Sequence, residues 1–265
     1  MVDRARAERA ARWVLAERQN RRNFTALPAA LAPADAEEAY AAQALLQDLL
    51  AETEGPVIGG KIALTTPVMQ KLTNYFHPVG AGILQRDVHW RAAELPLANY
   101  VRIGIECEVA VRLGRALDRA AADYTADSIA AAVDACMTGI EIVDDRAADY
   151  GNLDANTLIV DNAMNRGCVL ATPVTDWRRL DLAKARGSVT IDGKEVGAGF
   201  GGDVMGAHPF ASLAWLANHA VKRGRPLAAG SIVLTGSLVV TQWPARGQQI
   251  VAAIEGLGEA QVKFV

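Results

Sequence analysis

The chain has 265 residues, enough for one large domain or two small ones with ample material for a core. A hydrophobic share of 51%, a charged share of 22% and a net charge of -3 suit a globular enzyme and leave no basic footprint for nucleic acid. No apolar run approaches the roughly 18 residues a membrane span needs, and the scattered Cys107, Cys136 and Cys168 offer neither a disulfide framework nor metal-ligand spacing, as expected of reduced thiols in a cytoplasmic protein. Met1 to Arg22 is arginine-rich but interrupted by Asp3, Glu8 and Glu17, and it lacks the apolar centre of a signal peptide. It predicts an amphipathic helix that docks through Ala10, Trp13 and Val14. Residues 28–33 carry two prolines and break it. A second helix follows Asp35 and runs to about Leu50, with Tyr40, Ala44 and Leu45 at helical spacing and Glu37 and Glu38 at its positive end. The Glu54-Gly55-Pro56 turn closes this lead-in. Residues 1–55 are therefore expected to form an N-terminal helical segment and 56–265 the main part, the two making one structural unit.

From Val57 the pattern changes. Val57 to Leu64 is a strand-like apolar run with Lys61 inside it, and residues 74–99 look irregular, punctuated by Asn74, His77-Pro78, Gly80, Gly82 and Pro96. A long connection of that kind is more often functional than accidental, and it contains Asp87. Gly104 to Val111 alternates as a β-strand does, with Ile105, Cys107, Val109 and Val111 on one face and Glu106 and Glu108 on the other. Asp127 to Met137 predicts a short helix, and Gly139 to Arg146 a strand around Glu141. Residues 150–168 are polar and turn-rich, with Asp161-Asn162-Ala163 after Leu158-Ile159-Val160. Ser188 to Ile191 and the Asp192-Gly193-Lys194 turn predict a hairpin. The glycines of 197–202 follow that hairpin and lack a terminal Gly-Lys-Ser/Thr, so they read as a flexible turn and not a phosphate loop. His208-Pro209 opens a helix that Gly224 ends, Gly230 to Ser237 is a buried strand, and two more strands surround Gly256-Leu257-Gly258.

Three carboxylates and one lysine carry the chemistry. Glu106 and Glu108 lie about 6.6–6.8 Å apart along their strand and repel each other. Either they line a wet polar face, as half-solvated antiparallel strands do, or a divalent cation sits between them. Glu141 lies in an apolar strand, where it must be paired, protonated or metal-bound; Arg146 is the partner at hand. An all-oxygen set of this kind suits Mg²⁺ or Mn²⁺ better than Zn²⁺ or copper. Lys61 in its apolar strand either reaches outward or pairs with a carboxylate, or burial lowers its pKa and makes it an acid or base.

Gly60-Lys61-Ile62-Ala63-Leu64-Thr65 resembles the lysine strand of the 2-keto-4-pentenoate hydratase / 4-oxalocrotonate decarboxylase family, within the fumarylacetoacetate hydrolase superfamily. Ile105 to Ala110 is similar to its Glu-x-Glu strand, and Gly139 to Arg146 to the strand bearing its third metal glutamate. Asp161-Asn162-Ala163, Gly206 to Ala217 and Gly230 to Ser237 are similar to further family segments, so the likeness runs from about Tyr40 to Phe264. It implies an α+β fold with a mixed β-roll core and flanking helices, a bound Mg²⁺ or Mn²⁺, and a homo-oligomer. It also implies Glu106, Glu108 and Glu141 as metal ligands, Lys61 and Asp87 as the catalytic lysine and loop aspartate, and Thr65, Asp161 and Ser237 as substrate-binding residues. Two departures stand out: Gly60 replaces an often aromatic residue, which suggests a roomier pocket beside Lys61, and an extra alanine enters Gly206-Ala207-His208-Pro209.

The resemblance implies a lyase acting on a small 2-hydroxy-dienoate of the 2-hydroxypenta-2,4-dienoate type in meta-cleavage degradation of aromatic compounds. Lys61 would shuttle the proton of ketonisation, Asp87 would orient or accept it, and water would add conjugately to give a 4-hydroxy-2-oxo acid. A decarboxylase of the 4-oxalocrotonate type needs the same electron sink plus a cation for its second carboxylate. Residues 74–90 offer only Arg86, expected to pair with Asp87, although Arg102, Arg146 or Arg166 could also reach the pocket. An acylpyruvate hydrolase is disfavoured because Asn74-Tyr75-Phe76-His77 follows Lys61 instead of preceding it. A non-catalytic binding protein on this fold would have no need to keep a repulsive glutamate pair.

Overall fold

The computed structural model describes residues 2–118 and 123–265; Met1, the first residue of the expected N-terminal helix, lies outside them. Asp3 caps α1 (Arg4–Gln19), its carboxylate accepting from the Arg6 amide at 3.0 Å. The stripe Ala7, Ala10, Ala11, Val14 and Arg18 is buried, and α1 packs on α2 (Ala36–Glu54). Asp35 caps α2 in the same way, and α2 runs one turn beyond Leu50 before Gly55 ends it.

The rest of the chain is mainly strand: β1 (Val57–Ala63), β2 (Val79–Leu84), β3 (Val88–Trp90), β4 (Ala92–Leu95), β5 (Ile103–Leu113), β6 (Val133–Asp144), β7 (Asn165–Leu170), β8 (Arg186–Ile191), β9 (Lys194–Phe200), β10 (Ile232–Ser237), β11 (Gln249–Ile254) and β12 (Gly258–Phe264). Among them lie α3 (Pro67–Thr73), α4 (Ala126–Ile129), α5 (Ala155–Val160) and α6 (Pro209–Lys222). A seven-stranded sheet has the order β2-β1-β10-β5-β6-β7-β3, and a five-stranded one β4-β12-β11-β8-β9. Both are mixed: β1 with β10, β3 with β7 and β4 with β12 are parallel, and the other neighbours are antiparallel. The large sheet curls until β2 and β7 pack on each other. The fold is α+β, and among the described residues no helix is long and apolar enough to cross a membrane.

The two faces of β5 divide the molecule. Ile105, Cys107, Val109 and Val111 join Val189, Ile250, Ala252 and Val262 in the core between the sheets. The other face is covered at Glu108 and Ala110. Ala110 there meets Ile83, Met137, Cys168, Leu170 and Leu234 in a second apolar core inside the curl, and Glu108 is 1% exposed.

Several local readings give way to long-range pairing. The apparently irregular 74–99 contains β2, β3 and β4, and β2 is buried throughout, with Gly80 and Gly82 as strand residues. The helix expected over 127–137 stops at Ile129, because pairing with β5 draws the chain from Val133 onward into β6. Residues 150–168 hold α5 and the start of β7, and the expected turn at 197–202 is largely β9, paired with β8. His208 does cap α6, its Nδ1 accepting from the Phe210 amide at 3.0 Å.

β1 lies close on β10: a Cβ at Gly59 would come 1.9 Å from the Ile232 carbonyl oxygen. Gly59→Ala is therefore expected to cost about 1–3 kcal/mol and to displace the strand that carries Lys61. Thermal unfolding with a turnover assay would show it, and an unchanged melting temperature would mean that β1 yields without strain.

Candidate metal centre

Strand register assembles the charged cluster. Glu106 of β5 pairs across with Glu141 of β6, which puts both side chains on one face. Lys61 of β1 pairs with Leu234, and Leu234 with Ala110, so the lysine shares that face. One carboxylate oxygen from each of Glu106, Glu108 and Glu141 lies within 4.8 Å of the others. Lys61 Nζ is 2.9 Å from Glu141 Oε1, and the lysine is 3% exposed. Three further donors orient the carboxylates. Gly236 N–H donates to Glu108 Oε2 at 2.7 Å, Thr241 Oγ1 to Glu106 Oε1 at 2.5 Å, and Asn165 Nδ2 to Glu141 Oε1 at 3.0 Å. Glu108 Oε1 and Glu141 Oε2 are buried and have no hydrogen-bond partner among the described residues.

One ammonium cannot balance three carboxylates in a dry site. Burial and then the neighbouring Glu141 raise the Glu106 carboxyl; burial, Glu141 and Glu106 lift Glu108 well above the usual range. Oxygen donors only, clustered on one face with two orphaned buried oxygens, fit a hard divalent cation. The wet-face alternative fails for Glu108, which is buried on the side of the sheet where the second core lies, while Glu106 is half-buried. Of the two readings of Lys61, pairing with a carboxylate holds and the lowering by burial does not. Burial pushes its ammonium down, but Glu141, Glu106 and Glu108 together outweigh burial and hold it above its ordinary value. Arg146 does not pair with Glu141. It lies in a left-handed turn past the end of β6, with φ 47°, and its Nη1 donates to Asp161 Oδ1 at 2.8 Å.

The remaining sequence candidates divide. Ser237 pairs with Glu108 across the strands, and Thr65 lies beside Gly236, so both flank the cluster. Ser237 Oγ itself donates to the Val239 carbonyl at 2.7 Å. Asp161 is fully buried between Arg146 and Arg18. Asp87 sits in a separate charged group with Glu54, Arg166 and Arg18, and among the described residues no hydrogen bond or ion pair joins it to Lys61 or the three glutamates. Arg86 does not take Asp87 as expected; it donates to the Thr53 carbonyl at 3.2 Å. Gly60 does not widen the pocket beside Lys61. It faces the opposite side of β1, where a Cβ would meet Leu216 at 2.9 Å, and it borders an outer cleft of about 670 Å³ between α2 and α6.

Asn165, Thr241 and Arg18 were missed by sequence reasoning. Asn165 and Thr241 carry no local signal, since each acts only through a carboxylate distant in sequence. Arg18 does carry one: it continues the apolar stripe Ala7, Ala11, Val14 at spacings of four, three and four.

Comparison with known proteins gives the chain's relatives. A family model described as fumarylacetoacetate (FAA) hydrolase C-terminal matches residues 60–265. A 2-keto-4-pentenoate hydratase of Paraburkholderia phymatum is 33% identical over 264 residues, covering 100% of this chain and 99% of its own. A 2-hydroxyhexa-2,4-dienoate hydratase of Comamonas testosteroni is 32% identical, covering 78% of each chain. Among solved structures, 4-oxalocrotonate decarboxylase from Pseudomonas putida G7, complexed with magnesium and adipate, superposes with a TM-score of 0.90 at 21% identity, over 100% of this chain and 99% of that one.

Proposed function

The chain belongs to the fumarylacetoacetate hydrolase family, and from that membership we propose that it is a metal-dependent lyase, a hydratase that adds water to a small 2-hydroxy-dienoate of the 2-hydroxypenta-2,4-dienoate type. The product is a 4-hydroxy-2-oxo acid, in meta-cleavage degradation of aromatic compounds. The carrying observation is the buried lysine 2.9 Å from one member of a three-glutamate cluster; the end-to-end likeness to a named hydratase supports it. An Mg²⁺ or Mn²⁺ ion held by Glu106, Glu108 and Glu141 would supply Lewis-acid stabilisation of negative charge on the substrate's 2-oxygen. Lys61 holds the mobile proton on Nζ and exchanges it with the substrate as dienol and ketone interconvert. Thr65 and Ser237, flanking Glu108, contact the substrate. Asp161 acts behind the site, through its arginines. Asp87 has its carboxylate beside Glu54 and Arg166, which leaves the proton transfer to Lys61.

Hydration is favoured over decarboxylation by the arginines. A substrate with a second carboxylate wants a dedicated, bidentate cation. Arg102 is forked onto Asp145 and stacked on Trp243, Arg146 is held by Asp161, and Arg166 lies by Glu54 and over the Tyr100 ring. With Mg²⁺ present, we expect a higher kcat/KM for consuming 2-hydroxypenta-2,4-dienoate than for releasing CO₂ from 2-oxo-hex-3-enedioate. The reverse order would make the protein a decarboxylase.

The same proposal takes the curled seven-stranded sheet as the family's β-roll, with residues 1–55 as its helical lead-in and 56–265 as the catalytic part. It also includes a homo-oligomer, which light scattering tests, and a cytoplasmic location, supported by three buried free thiols.

A further inference from the structure

α1 lies outside residues 60–265, yet one of its side chains reaches the segment that precedes β7. Arg18 is 8% exposed. Its Nη1 donates to the Asp161 carbonyl at 2.9 Å and its Nη2 to the Asn165 carbonyl at 3.0 Å. The guanidinium thus grips both ends of a short segment whose middle residues, Asn162, Ala163 and Met164, have φ of 57°, 48° and 61°. Three consecutive left-handed residues are unfavourable without glycine, and such a turn persists only where its surroundings hold it. Asn162 helps from the other side: Gly82 N–H donates to its Oδ1 and its Nδ2 donates to the Gly82 carbonyl, both at 2.8 Å.

What this turn delivers is Asn165. Its Nδ2 donates to Glu141 Oε1, the oxygen that also takes Lys61, at 3.0 and 2.9 Å. With both donors on one oxygen, Glu141 Oε2 is left buried and unpartnered. A donor on one carboxylate oxygen fixes the rotamer in which the other can ligate.

We propose that Arg18 and Asn165 form a positioning relay: α1 holds the strained turn, the turn aims Asn165, and Asn165 sets Glu141 for the divalent ion. The inference rests on the metal reading above. It is tested by titrating Mn²⁺ into metal-free protein for wild type, Arg18→Met, Arg18→Lys, Asn165→Ala and the Arg18→Met/Asn165→Ala double variant, with melting temperatures recorded alongside. Arg18→Met and Asn165→Ala are each expected to weaken Mn²⁺ binding by about 10–100-fold. Arg18→Lys, which keeps the charge and loses the fork, should fall between. The double variant should bind no more weakly than Asn165→Ala, because both act on one route, and saturating Mn²⁺ should restore most of kcat. Wild-type Mn²⁺ affinity in Arg18→Met, or additive losses in the double variant, would overturn the relay. If Arg18→Met does not fold, wild-type affinity in Arg18→Lys or Asn165→Ala overturns it instead. A wild-type protein that binds no Mn²⁺ would remove the metal reading together with the relay, whereas tight binding by every variant removes the relay alone.

Discussion

Metal-free protein is expected to show no turnover above background, and Mg²⁺ or Mn²⁺ should restore it fully. The cluster explains why. Among the described residues, three carboxylates converge within 4.8 Å with one ammonium beside them, and two of their oxygens are buried without partners. Such a site is costly when empty and gains from a divalent cation. The ion should therefore stabilise the fold as well. At an ion concentration one hundred times Kd the gain is about 2.7 kcal/mol, which for a chain of this size raises the melting temperature by about 5–10 °C. Glu108→Gln sharpens the test, because the amide keeps an oxygen for the Gly236 N–H while removing one charge. Its metal-free form should melt higher than metal-free wild type at pH 8, should gain nothing from Mn²⁺, and should lack turnover. If Glu108→Gln melted lower without metal and still responded to Mn²⁺, the glutamates would be serving the fold and not an ion.

The second large effect belongs to Lys61. Lys61→Met preserves length and apolar bulk in a strand where the residue is 3% exposed, so folding should survive. Turnover should fall by about 10²–10⁴, the usual worth of a general acid–base group. Metal affinity should behave oppositely. Removing the ammonium that lies 2.9 Å from Glu141 leaves that carboxylate more negative, so Mn²⁺ should bind at least as tightly as in wild type. Lost turnover with retained binding separates a proton-transfer residue from one that builds the site. Weakened Mn²⁺ binding in proportion to lost turnover would assign Lys61 to site assembly.

Glu106 and Glu108 are legible because a strand repeats every two residues, and Ile105 to Val109 keeps that period. The burial of Glu108 is not. A polar residue in an alternating strand reads as solvent-facing, and the core that covers Glu108 comes from Ile83, Met137, Leu170 and Leu234, each on a different strand. The partner of Glu141 is hidden for a similar reason: Arg146, the alternative near in sequence, is carried by the left-handed turn to Asp161, while Lys61 arrives through β10 and β5. β2 escaped notice because Gly80 and Gly82 resemble turn residues, although both sit inside a strand paired to β1 along its whole length. Arg18 was within reach, since it completes the buried stripe of α1; what it grips, in a turn between α5 and β7, only the tertiary structure reveals.

The most direct test is to add Mg²⁺ to metal-free protein already mixed with 2-hydroxypenta-2,4-dienoate and follow the dienoate absorbance. Absorbance should hold steady before the addition and then fall as the 4-hydroxy-2-oxo acid accumulates, at a rate that drops by about 10² or more in Lys61→Met. Consumption of the dienoate before any ion is added, or no consumption after the ion has demonstrably bound, would contradict the assignment of Glu106, Glu108, Glu141 and Lys61 as one catalytic unit.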